Sequence, residues 1–493
     1  MPWSLFMSRR VRQMALGLPF CLMAGCASLS PPAGDADLAP CGVRSDWGPL
    51  YSRMTDVEDR DRQRILGPLW ERRTGPSKNQ TLHALRPFYA REHAVSGWIH
   101  HDLLYPLGTG STLGDDTEWR VLIGWYQDYD TGDPESAWRL MILPIYFQGR
   151  SKGGEDYFAI FPLGGRIRDL LLRDRIDFAL FPLWMRSEVN GIETVSLLFP
   201  IFARTNDPRL RQLRVFPFYG KIQRRDQYRK RFVMWPIWTD AVWSYPRSYG
   251  SGFVLFPLYG RIRLSDQSAW LVLPPFFRHN RSTRLVGGYY PWPFVQVEQG
   301  QRHKFYIWPL YGHRHQSGIS YRFLLWPLVH QYRLDRGDRS LDTFKILPFF
   351  YSERERIRYP ETETGAAPPA RRLELWPLGE WDCPSAGPRR ICIPDLWPGR
   401  NLKPVDRSWA PWWTLYRMDR SGADVDCEAL WGLYRHRRYG TEARHFSLFP
   451  FYERTRDNRA GKSYASWSML KGLLAREENN GETRHRVLYV FTF

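Results

Sequence analysis

Nothing constrains this chain more than a six-residue phrase, Leu255-Phe256-Pro257-Leu258-Tyr259-Gly260, that returns in variants almost from end to end. Phe181-Pro182-Leu183-Trp184, Phe216-Pro217-Phe218-Tyr219, Trp235-Pro236-Ile237-Trp238, Trp308-Pro309-Leu310-Tyr311 and Trp326-Pro327-Leu328 are further copies. Marking the proline of each copy, or the residue in its place, carries the series from Pro49 to Pro348 in even steps of about 19 residues. It continues less regularly through Pro377, Pro398, Thr414, Gly432, Pro450 and Gly472, for about 23 copies in all. The next mark would fall at the end of the chain, so the array reads as complete.

Each copy has one grammar. A few large apolar residues lead in, proline follows, then two more large apolar residues, then often Gly and Arg. Short runs rich in aromatic and β-branched residues predict strands. Proline has no amide hydrogen for a ladder and marks a bend between two strands. The same frequent prolines leave no room for a useful amphipathic helix. Midway between marks stand turn residues: Asn190-Gly191, Gly153-Gly154, Ser317-Gly318, Ser265-Asp266 and Asn480-Gly481. Such pairs reach positive φ cheaply and suit tight hairpins. The prediction is an all-β chain of repeated β-hairpins, with arms of roughly 25 Å.

Polarity grades along each arm, continuous apolar beside the proline and charged toward the turn, as in Arg261-Ile262-Arg263. The aromatic-proline corners are therefore expected to gather in a buried apolar hub, with the turns in solvent. A lone hairpin is not stable, so neighbours must pack side by side. The expected hub residues are Phe181, Pro182, Phe216, Pro217, Trp235, Pro236, Phe256, Pro257, Trp308, Pro309, Trp326 and Pro327. Their role is structural packing or the binding of an apolar ligand. This layout resembles the β-flower class of bacterial proteins, in which hairpin petals surround a shallow barrel and whose members often look like lipoproteins. The resemblance covers Pro49 to Phe493 and implies an apolar channel or cup at the hub, in one ring, two lobes or an open spiral. It brings no catalytic residues with it.

Residues 1–25 read as a targeting leader. Arg9, Arg10 and Arg12 form a basic start, and Met14 to Met23 is an apolar core too short to span a bilayer. Leu22-Met23-Ala24-Gly25-Cys26 resembles the lipobox of bacterial lipoproteins, which implies cleavage before Cys26 and acylation there. Ala27 in the next position implies the outer membrane by the same resemblance. Residues 26–40 read as a flexible tether and 41–493 as the repeat domain. The spacing widens between Pro348 and Pro377, where 353–372 predicts a long loop.

Cys21 leaves with the leader and Cys26 is taken by lipid. Cys41, Cys383, Cys392 and Cys427 remain, an even number suited to an oxidising compartment. A disulfide between Cys383 and Cys392 and another between Cys41 and Cys427 are the expected pairs. A four-thiolate zinc site lacks the paired close spacings it needs.

The formal net charge is +19, or about +16 without the three leader arginines. Basic residues are spread over nearly every hairpin instead of clustering, which argues against nucleic acid and for a solvated rim or attraction to anionic head groups. His313 and His315 share a strand face but no third metal ligand is visible, and no metal or cofactor is expected. The acidic runs Asp115-Asp116-Glu118 and Asp424-Asp426-Glu428 lack calcium-loop grammar and read as offsets for local arginines. No phosphate loop, nucleophile elbow or zinc-hydrolase signature occurs. The reading is a non-enzymatic, lipid-anchored protein of the cell envelope, its partners a membrane through the N-terminal lipid and a lipid or other apolar ligand. Two alternatives are an assembly scaffold and a membrane-spanning barrel, the latter suggested by the aromatic terminal strand ending at Phe493.

Overall fold

A computed structural model of the protein describes residues 40–77, 80–357, 369–399, 402–459 and 463–493. Residues 40–493 form one compact unit. The leader, Cys21, Cys26 and the tether up to residue 39 lie outside the described residues, as does 358–368 of the long loop.

The unit is all-β. A single sheet of 46 antiparallel strands runs from β1 (Val43–Trp47) to β46 (Phe491–Thr492). Each strand pairs only with its neighbours in sequence, so the sheet is one continuous meander. Its two end strands do not pair with each other, and the sheet is open. Hairpins are thus not separate petals, because the return arm of one copy is hydrogen-bonded to the outgoing arm of the next.

Connections alternate. Proline corners all lie at one edge of the sheet and polar turns at the other. Leu180-Phe181-Pro182-Leu183 shows how a corner is made. The Phe181–Pro182 bond is cis, which places proline at the third position of a type VI turn. The Leu183 N–H donates to the Leu180 carbonyl at 2.8 Å and closes it. Corners also bond to one another: the Phe181 N–H donates to Pro162 O and the Phe199 N–H to Pro182 O, each at 2.8 Å. Proline costs the ladder nothing here, because the residue before it makes the bond.

The residue opening the turn is held at positive φ, as at Leu180 (46°), Leu198 (47°), Met234 (46°) and Leu325 (48°). Glycine is the usual choice for such a backbone. At the polar edge Asn190 (φ 51°) and Gly191 (φ 73°) form the tight turn expected of them. Leu171 (54°) and Leu172 (59°) take the same conformation, and Leu172 is 98% exposed. Replacing Leu171-Leu172 by Asn-Gly is therefore expected to stabilise the protein by about 1–2 kcal/mol. A higher thermal midpoint checks it, and a lower one would count against strain at this turn.

One cross-strand row explains the glycine of the repeat. It stands two residues past each corner and runs through every strand, for example Ala203–Arg214–Gly220–Phe232–Thr239–Val254–Gly260. Large and small side chains alternate along it. A Cβ on Gly220 would come within 2.1 Å of the Phe232 ring, and one on Gly312 within 2.2 Å of Phe323. Glycine after the corner tyrosine makes room for the next strand's ring.

Four expectations need correction. Strands are five to eight residues, apart from the two-residue Phe491–Thr492, so most arms are shorter than predicted. The span 353–372 is partly strand, since Phe350–Ile357 and Ala370–Leu375 extend into it. Helix is present: α1 (Lys403–Ser408) and α2 (Ala410–Trp413) expand one corner, and Pro398 and Thr414 both belong to that single connection. A further corner stands at Leu488-Tyr489-Val490, between Glu482–Val487 and Phe491–Thr492. The two miscounts cancel, and the 46 strands make the 23 corners that the period predicts.

Candidate functional site

Two features concentrate the chemistry of this fold, an apolar edge and a charged seam.

The edge is the row of corners. Aromatic rings pack against one another in tilted pairs from copy to copy along it: Phe161–Phe181 at 5.2 Å, Phe181–Phe199 at 5.8 Å, Phe216–Trp235 at 5.4 Å and Trp308–Trp326 at 5.8 Å between centroids. These are the residues expected at the hub, and the fold does gather them. It does not bury them. Phe181, Phe216 and Trp308 are half-buried, whereas Phe256 (38%), Trp235 (53%) and Trp326 are exposed. Pro182, Pro217, Pro236, Pro257, Pro309 and Pro327 are exposed as well. The physical reason is geometric. A corner is the end of its strand, and the next corner covers only its flank.

The densely buried apolar cluster lies elsewhere, around Met141, Phe147, Ala159, Ile167, Ile176 and Phe178.

The seam is where the first strands of the sheet face the last. The row two residues past the corner changes character at both ends of the chain. At the start it reads Asp46–Ser52–Arg64–Glu71–Ala84–Ala90–Asp102, all buried. Toward the end it reads Glu374–Glu380–Cys392–Arg417–Glu428–Arg435–Ser447. Side chains of the two rows pair across the seam. Arg435 meets Asp46 at 2.5 Å, and His445 Nε2 stands 3.3 Å from the same carboxylate. Arg64 meets Glu428 at 2.5 Å. The Tyr439 hydroxyl donates to the Thr55 carbonyl at 2.8 Å, and the Cys41 N–H to Asp457 at 2.8 Å.

Glu71 gathers Arg62 (2.9 Å), Arg73 (2.6 Å) and Arg86 (2.8 Å). Burial alone would raise its pKa, but the Arg62, Arg73, Arg86 and Arg64 charges overcome it and hold the carboxyl well below the usual range. Asp46 is likewise held far down despite burial, chiefly by Arg435.

The helical insert acts as a strap over the seam. Arg407 forks onto Asp102 with bonds of 2.6 and 3.1 Å and reaches Glu92 at 2.7 Å. Arg86 Nε donates to the Arg407 carbonyl, and Trp409 Nε1 to the Tyr105 carbonyl at 2.7 Å. Bidentate guanidinium–carboxylate pairing of this kind fixes orientation as well as charge. Around the strap three carboxyls, one of them on α1 itself, are pushed the other way. Burial raises Glu374 to about 7, Glu380 to about 7 and Asp406 to about 6, with Asp395 adding to each. Arg372, 2.7 Å from Glu380, counters only part of this.

The cysteines require a correction. Cys41, Cys383, Cys392 and Cys427 are all free thiols. Cys392 pairs in register with Glu380, three positions along the strand from Cys383, which separates the two by about 10 Å, beyond disulfide reach. Cys41 is buried, and its Sγ donates to the Arg456 carbonyl at 3.4 Å. Burial, first, pushes its pKa up to about 12.

His313 and His315 share a face with His303, which stands directly opposite His315. Among the described residues, no three His, Cys, Asp or Glu side chains are grouped to hold a metal ion. Asp426 and Glu428 do offset arginines, but Glu428 pairs with Arg64 from the other end of the chain. The seam was missed at the sequence level. Its one visible signal is a charge standing where other copies carry Gly, Ala or Phe. No family model matches the chain, and no curated protein matches it.

Proposed function

We propose that this is a non-enzymatic, lipid-anchored protein of the cell envelope, akin to the β-flower class, whose corner edge binds an apolar ligand, the acyl chain of a lipid. Cys26 is the anchored residue in this reading. The observation that carries it is the largely exposed edge of aromatic and aliphatic side chains at the corners from Leu143 to Phe349. Such a surface costs free energy in water, and contiguous patches of this kind mark interaction sites. The buried titratable groups favour a structural role for the remaining chemistry, because they are spent on one another across the seam.

Native mass spectrometry of the full chain carrying Cys26→Ala, released from detergent, tests the proposal. Retained lipid-sized adducts are expected, and their loss is expected when Trp235 and Trp326 are both changed to Ser. Clean apoprotein from lipid-rich extracts would remove the ligand reading.

A further inference from the structure

The edge is more than a row of corners, because a second apolar row lies behind it on the face opposite the glycine row. Strand residues alternate faces, so Tyr259 and Leu255, paired in register, flank one corner on that outer face. Tyr219 with Val215 and Trp184 with Ala179 repeat the pattern. Tyr259, Leu197, Leu324 and Ile142 in this row are exposed, although they are strand residues and not turn tips. One step further along the same face, over residues 164–264, cations become frequent: Arg166, Arg186, Arg204, Lys221, Arg231 and Arg261 outnumber Asp177 and Asp240 in that row, with Val195, Leu213 and Phe253 between them.

From corner tip toward the turn, the outer face of residues 164–264 therefore reads aliphatic and aromatic, then Tyr or Trp mixed with Leu, Ile or Val, then a mixed row of net positive charge. At about 3.3 Å per residue the apolar belt is about 7 Å deep and the cations stand about 13 Å from the tip. That order matches the cross-section of a membrane surface, where hydrocarbon gives way to the aromatic-favouring interface and then to phosphate. The depth matches the roughly 5–10 Å that interfacial elements insert.

We infer that the corner edge and its outer belt form a membrane-docking surface that lies in one leaflet of an anionic bilayer, independently of the N-terminal lipid. The inference rests on the lipid reading above and names its physical state: a leaflet, not a single sequestered molecule. Charge complementarity selects the occupant. A second copy of the chain would bring its own cationic row against this one, whereas anionic head groups neutralise it.

The test is vesicle flotation of the full chain carrying Cys26→Ala, on phosphatidylcholine vesicles with and without phosphatidylglycerol. Binding that rises with phosphatidylglycerol is expected. In the same background, Leu183→Asp, Leu258→Asp and Leu310→Asp combined are expected to weaken binding about tenfold or more. All three side chains are at least half exposed, so the fold should survive, which circular dichroism and an unchanged melting midpoint would verify. Combined Arg186→Gln, Lys221→Gln and Arg261→Gln is expected to reduce the response to phosphatidylglycerol while leaving binding to neutral vesicles.

Flotation unaffected by the three aspartates would overturn the inference. So would a parent protein that does not float, or one that self-associates through this edge instead. Lipid adducts in native mass spectra without flotation would retain the ligand reading and remove this one.

Discussion

Replacing Glu71 with Ala is expected to cost about 3–5 kcal/mol, one of the two largest effects in the molecule. The carboxylate is buried and answers three guanidinium groups, from Arg62, Arg73 and Arg86. Removing it leaves those cations facing one another without water. Arg86 also supports the strap by donating to the Arg407 carbonyl, so the damage should spread to residues more than 300 positions away in sequence. A lower urea midpoint together with faster proteolysis around Lys403–Ser408 would check it. A change under 1 kcal/mol would mean that the seam is wet. Glu71→Gln should fall between, since it keeps two acceptor sites but loses the charge.

A pH optimum for stability on the mildly acidic side is the second expectation. Glu374 and Glu380 are raised to about 7 and Asp406 to about 6, against about 4 in an unfolded chain. The folded state therefore binds these protons more tightly. Their contribution is fully present below about pH 4 and is lost as pH rises toward 7, a loss of about 2–3 kcal/mol for each carboxyl. Asp46, Glu71 and Asp419 are shifted the other way, and Glu428 is lowered to about 2. Their contribution is present above about pH 4 and is lost as pH falls below it. Stability should peak near pH 4–5 and decline toward neutrality. Combined Glu374→Gln and Glu380→Gln should flatten the decline. An unchanged slope in that variant would locate the titration elsewhere.

The groups facing these carboxyls come from several elements, which is why the effect is concentrated there. Arg372 and Asp382 lie on neighbouring strands, Asp395 and Asp406 on the connection that carries the helices, and Arg390 on the strand before it. The Gly399 N–H donates to Glu374 at 2.6 Å.

What was legible in the sequence was whatever is local. Aromatic-proline phrases at a fixed spacing specify a strand, a turn and the next strand, and Asn190-Gly191 or Ser317-Gly318 specify the opposite turn. Those elements interact with their immediate neighbours, so the period alone leads to the sheet. Burial of the corners was misjudged because aromatic side chains beside proline look like core. Only the topology shows that each corner ends its strand and gains no cover beyond the next copy. Asp46, Arg64 and Asp102 read as ordinary alternating charges. Their partners Arg435, Glu428 and Arg407's strap lie hundreds of residues away, and no local pattern encodes which distant strand will face them. The leucines at positive φ were equally hidden, since Leu180 and Leu325 carry no mark of the backbone they adopt.

Nearest-neighbour pairing has a consequence for how such a chain can change. A copy gained or lost between Pro162 and Pro348 would leave every other strand with the same partners, so the interior of the array is free to vary in length. The buckle is not. Asp46 must still arrive opposite Arg435, and Arg407 opposite Asp102. The clasped ends, not the links between them, are the part of the belt that cannot be altered.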